Sequence, residues 1–188
     1  MAKQLHSGLA ALIVMSAGVV AAPSVSANVS AKTSDRPTEI THASAVHKQS
    51  RISQCNSLIT VVNDGSRQVS ALRGQESSIS TLTTLANTLN SLSRRIGSVR
   101  VPDTTLQRYR NGFARLYGNL ARTSSQIGTA LTTFQAIQRQ DPSLRDPDEL
   151  QQIQTQLAEA MRNNEQATVQ ERRLKSAFMN YCQTGRQG

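Results

Sequence analysis

The sequence predicts an all-α protein, a four-helix antiparallel bundle with up-down-up-down topology and long third and fourth helices. Apolar residues recur at alternating three- and four-residue steps from Ile52 onward, which is the spacing of one helix face. The 188 residues include no Trp, three Phe and three Tyr, and so few aromatic residues disfavour a β-sandwich. Short breaks divide the periodic region into four stretches, and short turns favour antiparallel neighbours.

Residues 1–27 have the pattern of a secretory signal peptide. Lys3 supplies the positive charge, residues 9–22 form the apolar run, and small residues at 25–27 suit cleavage by a signal peptidase. The alternative is an uncleaved N-terminal membrane anchor, although a spanning helix needs about 20 apolar residues and this run is shorter. We therefore expect an exported protein, periplasmic or extracellular.

The mature chain is predicted to begin with a flexible polar segment at residues 28–50, which is rich in Ser, Thr and Ala and lacks apolar periodicity. Residues 51–185 form the predicted helical bundle domain. The first helix ends near Gly74, where the alternative is a tolerated glycine within one longer helix. Its apolar stripe consists of Ile52, Cys55, Ile59, Val62 and Val69.

The second helix is predicted to start at Ser77 or Ser78, either of which can cap its exposed amides. Gly97 and Pro102 end this helix, and Asp103 is placed to cap the third. Its stripe consists of Ile79, Leu82, Leu85, Leu89, Leu92 and Ile96.

The third helix has the longest periodic stretch and ends before Asp141. Asp146, Pro147 and Glu149 then form a start signal for the fourth helix, which polar residues at 163–165 weaken with a kink or a hydrated layer. The third and fourth helices are predicted to be about 20 Å longer than the first two, so they either protrude as a hairpin or bend. The apolar stripe of the third helix consists of Leu106, Tyr109, Phe113, Leu116, Leu120, Ile127, Leu131, Phe134 and Ile137. That of the fourth helix consists of Leu150, Ile153, Leu157, Met161, Leu174, Phe178 and Tyr181.

Cys55 and Cys182 are predicted to form a disulfide bond. An exported chain reaches an oxidising compartment, where disulfide bonds form and persist. The predicted helix lengths also bring both cysteines to the same end of the bundle. The alternative is a pair of buried free thiols. A structural metal site is not expected, because no histidine follows His47 and two cysteines are too few.

The segments around the cysteines, Cys-Asn-Ser-Leu-Ile at 55–59 and Asn-Tyr-Cys-Gln at 180–183, resemble a group of uncharacterised exported or membrane-anchored bacterial helical proteins. The resemblance covers about residues 52–183. It implies a helical body closed by these two cysteines, and it carries no known activity.

Catalysis is not expected, and no cofactor is predicted. Without histidine in the periodic region, His-assisted nucleophiles and di-iron Glu-x-x-His pairs are excluded there. Glu159, Glu165 and Glu171 are the remaining acid-base candidates, but their six-residue spacing scatters them around a helix. We expect a solvated face there rather than a catalytic dyad.

The charge pattern is the strongest functional signal. The chain has a formal net charge of +9, and the basic residues concentrate towards the cysteine end of the predicted bundle. Arg108, Arg115 and Arg122 recur every seven residues, which places them in a line on the outer side of helix three, opposite its apolar stripe. Together they suggest an anion-binding surface, with an ordinary solvated face as the alternative. The candidate anion-binding residues are Arg94, Arg95, Arg100, Arg108, Arg115 and Arg122.

These observations lead to three functional hypotheses. The first is an exported, non-catalytic binding or scaffold module for an anionic envelope component, either an anionic lipid or a polysaccharide. The second is a coiled-coil structural or assembly protein that packs its helices against another protein. The third, least favoured, is an enzyme with an Arg-lined pocket for a small polyanion. Nucleic acid is disfavoured by export and by the scarcity of aromatic residues for base stacking.

Overall fold

The computed structural model describes residues 39–73 and 78–184, so the predicted signal at 1–27 lies outside the described residues. Neighbouring helices pack in chain order, with a short 3-10 turn at Pro142–Leu144 before the last of them. This confirms the predicted all-α fold with long third and fourth helices. Within the described ranges, no helix combines the length and apolar character needed to cross a membrane. The helices are α1 (Glu39–Arg73), α2 (Ile79–Gly97), α3 (Thr104–Gln138) and α4 (Pro147–Thr184).

Helix α1 begins at Glu39, so the backbone of residues 39–50 is helical although the sequence assigns them to the polar segment. A helix without an apolar stripe gives no periodic signal, which is why the sequence places the start of the helix later. The described part of α1 ends at Arg73, beside the predicted break at Gly74.

Three capping residues confirm the predicted helix starts. The Ser78 side chain accepts a 3.1 Å hydrogen bond from the Thr81 amide at the start of α2. Asp103 accepts one of 2.9 Å from the Leu106 amide at the start of α3. Asp146 accepts one of 2.9 Å from the Asp148 amide at the start of α4. Each cap satisfies an amide that has no partner within its own helix.

The main hydrophobic core lies at the cysteine end and draws on all four helices. The predicted stripes supply most of it, and Leu58, Phe113 and Phe178 are fully buried. One position of the α4 stripe is wrong. Met161 is 39% exposed, and the neighbouring Ala160 takes the core position.

Helices α3 and α4 continue past α2 as a two-helix hairpin. The cluster of Ala130, Ile137 and Ile153 belongs to α3 and α4 alone, whereas α2 reaches only as far as the cluster around Leu82 and Ile127. Helix α4 remains helical through residues 163–165. Of the two outcomes that the predicted length difference allows, the longer helices therefore protrude as a hairpin.

A disulfide bond joins Cys55 of α1 to Cys182 of α4, as predicted, with their Cα atoms 6.0 Å apart. Both cysteines are buried in the main core. Beside them, the Tyr181 hydroxyl donates a 2.7 Å hydrogen bond to Asp103 Oδ2. The Asp103 amide donates to Gln54 Oε1 over 3.0 Å. This group, which we name the Asp103 clasp, ties the start of α3 to α1 and α4.

Candidate anion-binding groove

A polar groove runs between α3 and α4 near the middle of both helices. Its first part encloses about 340 Å³. Small residues occupy the core positions in this part of α4, including Ala160 and Ala167, so the two helices leave space beside their contact. The residues that line this part are Leu116, Asn119, Leu120, Arg122, Thr123, Gln126, Asn163, Gln166, Ala167 and Gln170.

The second part adjoins the first towards the cysteine end and encloses about 540 Å³. The two parts share Leu116, Asn119 and Gln170, so we treat them as one feature, the α3–α4 groove. From Gly112 to Gln126 the groove follows α3 for about 21 Å. The second part is lined by Gly112, Arg115, Leu116, Asn119, Gln170, Arg173, Leu174 and Ala177.

Three arginines line the α3–α4 groove: Arg115, Arg122 and Arg173. Its lining residues in the described chain include no Asp or Glu. Arg122 Nη2 donates a 2.6 Å hydrogen bond to Asn119 Oδ1, which restrains the guanidinium. Guanidinium groups in such a setting suit phosphate, sulfate or carboxylate groups.

The structure brings two of the six predicted arginines into this groove and leaves four outside its lining. All six are exposed. Arg115 and Arg122 line the groove, while Arg108 does not. Arg95 lies 3.8 Å from Asp64 of α1 on another side of the bundle. Arg94 lies in the last turn of α2, and Arg100 lies in the connection to α3.

Arg115 and Arg122 are exposed on the outer side of α3, and both also border α4 where they line the groove. Helix α3 packs against α1, α2 and α4, so its buried sector is wide and includes polar positions such as Thr123 and Ser124. The remaining outer face is exposed along the helix and includes Arg108, Asn111, Arg115, Asn119, Arg122 and Gln126. The stripe of apolar residues alone underestimates the buried sector.

Sequence reasoning missed Arg173 and the amide side chains of the groove as site residues. Asn163, Gln166, Gln170 and Arg173 recur at steps of three and four on α4, which places them on one helix face. That polar stripe beside the apolar stripe is the signal that could have found them.

The expectation for Glu171 is wrong, since this residue is 4% exposed and not part of a solvated face. Its Oε1 accepts a 2.8 Å hydrogen bond from the Tyr117 hydroxyl and lies 2.7 Å from Lys175 Nζ. Burial, reinforced by the Glu171 carboxylate, raises the pKa of Tyr117 well above its ordinary value. The six-residue spacing does scatter the carboxylates, but it turns this one inward, whereas Glu159 and Glu165 are exposed.

This buried network lies behind the groove and does not line it. It connects α3 to α4 through Tyr117, Glu171 and Lys175, and Ser66 of α1 also hydrogen-bonds to the Tyr117 hydroxyl. Elsewhere in the described ranges, no cluster of three or more His, Cys, Asp or Glu side chains is placed to hold a metal ion. The groove therefore offers arginines and amides for binding.

Comparisons with protein-family models, curated proteins and solved structures find no match for this chain. The resemblance around Cys55 and Cys182 stays an expectation from sequence. Any function assigned to the chain therefore depends on its own geometry and charge.

Proposed function

We propose that the protein is an exported, non-catalytic helical module whose α3–α4 groove binds an anionic component of the cell envelope. One observation carries the proposal: Arg115, Arg122 and Arg173 line one groove in which no described lining residue is acidic. Such a groove focuses positive potential on its occupant, and the fixed guanidinium fork adds directional hydrogen bonds.

The local ion pairs support this proposal because they leave the groove arginines available. The acidic residues near the cysteine end have partners of their own. Asp64 pairs with Arg67 and Arg95, and Glu171 pairs with Lys175. Within the described residues, Arg115 and Arg173 have no carboxylate partner.

The disulfide bond supports the exported part of the proposal, since such bonds persist in oxidising compartments. The non-catalytic part is supported by the position of the ionisable groups. The Tyr117–Glu171 pair is enclosed in the core, and the groove residues themselves are arginines and amides. Arginine remains protonated in proteins and is a poor acid-base catalyst.

Retention on a heparin support and on vesicles rich in anionic lipid tests the proposal. A triple variant, Arg115→Gln, Arg122→Gln and Arg173→Gln, should elute at lower salt and bind at least about tenfold more weakly, because each charge-assisted contact contributes about 1.5–3 kcal/mol. The matched control removes the same charge at three exposed sites outside the groove lining: Arg108→Gln, Arg139→Gln and Arg162→Gln.

The control should keep most of the retention of the unmodified protein, apart from a small loss due to net charge. Equal losses in the two triple variants would show that only net charge matters. If the protein bound neither the heparin support nor the anionic vesicles at low salt, the proposal would be wrong.

The protruding hairpin favours a second candidate function, helical association with another protein. Beyond α2, Phe134 and Leu150 are only partly buried against the α3–α4 cluster, and Leu144 at the turn is 74% exposed. Association through this surface predicts a concentration-dependent mass in sedimentation, which Leu144→Ser should reduce. If the protein remained a monomer at high concentration, the hypothesis of self-association would be excluded.

A further inference from the structure

We propose that the occupant of the α3–α4 groove is a polysaccharide, bound as one extended chain that carries acidic groups at intervals. This inference depends on the proposed function and specifies the chemistry of the ligand. It combines three features of the groove: the separation of its arginines, its amide side chains and its apolar floor.

The separation of the arginines indicates an elongated ligand. Arg115 and Arg122 are seven residues apart, which corresponds to about 10 Å along the α3 axis. A ligand that presents acidic groups at intervals, as an acidic polymer does, can therefore place a separate group beside each arginine along the groove.

The amide side chains indicate that this polymer has hydroxyl groups. An amide offers two N–H donors and a carbonyl acceptor, whereas phosphate and sulfate groups can only accept. Sugar hydroxyls both donate and accept, so they can use the donors and the acceptors of the groove. The amides that line it are Asn119, Gln126, Asn163, Gln166 and Gln170.

The floor of the groove is apolar and suits the C–H faces of sugar rings. Leu116, Leu120 and Leu174 line it together with Ala167 and Ala177. Burying these faces adds a contribution that does not depend on charge. A polyanion without rings, such as polyphosphate, lacks this contact.

A lipid surface fits the groove less well. Peripheral membrane binding combines basic side chains with apolar residues that enter the headgroup region. The large hydrophobic side chains that are exposed in the described chain are Leu144, Met161 and Val169. None of them lines the groove.

The experiment compares three probes by titration calorimetry: size-defined heparin oligosaccharides, inorganic polyphosphate and anionic vesicles of phosphatidylglycerol in phosphatidylcholine. Affinity should rise from the disaccharide to longer fragments and level off once a fragment spans the groove. The triple variant Asn163→Ala, Gln166→Ala and Gln170→Ala should weaken binding of the octasaccharide by roughly tenfold. Its polyphosphate affinity should stay within about twofold, because the arginines are intact.

The matched control replaces three exposed glutamines of the same helix outside the groove lining: Gln151→Ala, Gln154→Ala and Gln156→Ala. It should bind every probe like the unmodified protein. Equal weakening of heparin and polyphosphate by the groove variant would overturn the polysaccharide inference and leave anion binding intact. Binding to vesicles without binding to oligosaccharides would also overturn it, in favour of lipid. If none of the probes bound, the proposed function itself would fail.

Discussion

The Tyr117 hydroxyl on α3 donates a 2.8 Å hydrogen bond to Oε1 of Glu171 on α4, within the core of the bundle. Lys175 Nζ, one turn further along α4, lies 2.7 Å from the same oxygen. A buried polar group that loses its hydrogen-bond partner costs stability, so sliding α4 along α3 would be unfavourable because it would separate the Tyr117 hydroxyl from Glu171. We infer that this network fixes the register in which the two sides of the groove face each other.

Breaking the buried pair from one side should destabilise the protein. The side chains of Lys175 and Glu171 are 12% and 5% exposed, so Lys175→Met leaves an uncompensated buried carboxylate. We expect a loss of about 3–5 kcal/mol in the free energy of unfolding. The double variant Glu171→Leu with Lys175→Met should recover most of this loss. Urea unfolding followed by circular dichroism measures both variants and the Glu171→Leu single variant, and additive effects of the two single changes would show that the two side chains are not coupled.

The Asp103 clasp should make stability depend on pH in the acidic range. Burial raises the pKa of Asp103, but amide donors from Leu106 and Thr105, the Tyr181 hydroxyl and the nearby Arg51 together bring it below its ordinary value of 3.8. Because the folded-state pKa is lowered, the carboxylate stabilises the fold above 3.8, and this contribution is lost as the pH falls through the folded-state value.

Asp103→Ser is the informative variant, because serine keeps the helix cap while removing the charge. Its free energy of unfolding should fall less steeply below about pH 4 than that of the unmodified protein. Asp103→Ala should lose about 1 kcal/mol more at neutral pH, since the cap is also gone. An NMR titration that places the Asp103 pKa above 3.8 would contradict the assignment.

Gly65 should be intolerant of a methyl group. A Cβ at this position would press against the side chain of Leu92, which is 1% exposed and has little room to move. Gly65→Ala gains about 1 kcal/mol of helix propensity but should lose more through overpacking, which costs about 1–3 kcal/mol. We therefore expect a lower midpoint of thermal unfolding.

Gly97→Ala is the matched control for Gly65→Ala, since the nearest atom to its added Cβ is Ala114 Cβ at 4.0 Å. That distance is ordinary contact, so the control should leave the midpoint unchanged or raise it slightly. An equal response at the two positions would mean that α1 and α2 do not approach closely at Gly65.

Loss of the disulfide should lower stability more than the other single changes. The bond joins residues separated by 127 positions, and closing a loop of that size contributes up to about 5 kcal/mol in the chain-entropy model. The Cys55→Ala, Cys182→Ala variant should therefore unfold at lower urea concentration than the oxidised protein, and dithiothreitol should not shift it further. Two titratable thiols in the native, non-reduced protein would rule out the bond.

Most of the fold could be predicted because its signals are local. The periodic stripes identify the helices, and Asp103 and Asp146 mark two helix starts through side chains that cap neighbouring amides. The cysteine pairing followed from the expected oxidising compartment together with the helix lengths. Met161 was misplaced because Ala160, beside it in sequence, fits the narrow α3–α4 contact better than a long side chain does.

The groove was less predictable because it depends on how two helices pack. Arg115 and Arg122 stood out by their spacing, but their position beside α4 depends on which side of α3 the last helix packs against. Arg173 belongs to the same groove only through the pairing of α3 with α4. Glu171 looked like any surface carboxylate, since nothing local in the sequence shows that Tyr117 lies opposite it.

The Cys55–Cys182 bond also makes residues 55–182 a covalent ring, which contains α2, α3 and the parts of α1 and α4 between the two cysteines. A single proteolytic cut within that ring, for example at the exposed turn around Leu144, opens the ring without releasing a fragment. The two pieces stay tethered at the cysteine end, where the main core can hold them together. A protease would have to cut the ring twice before a helix within it could be released.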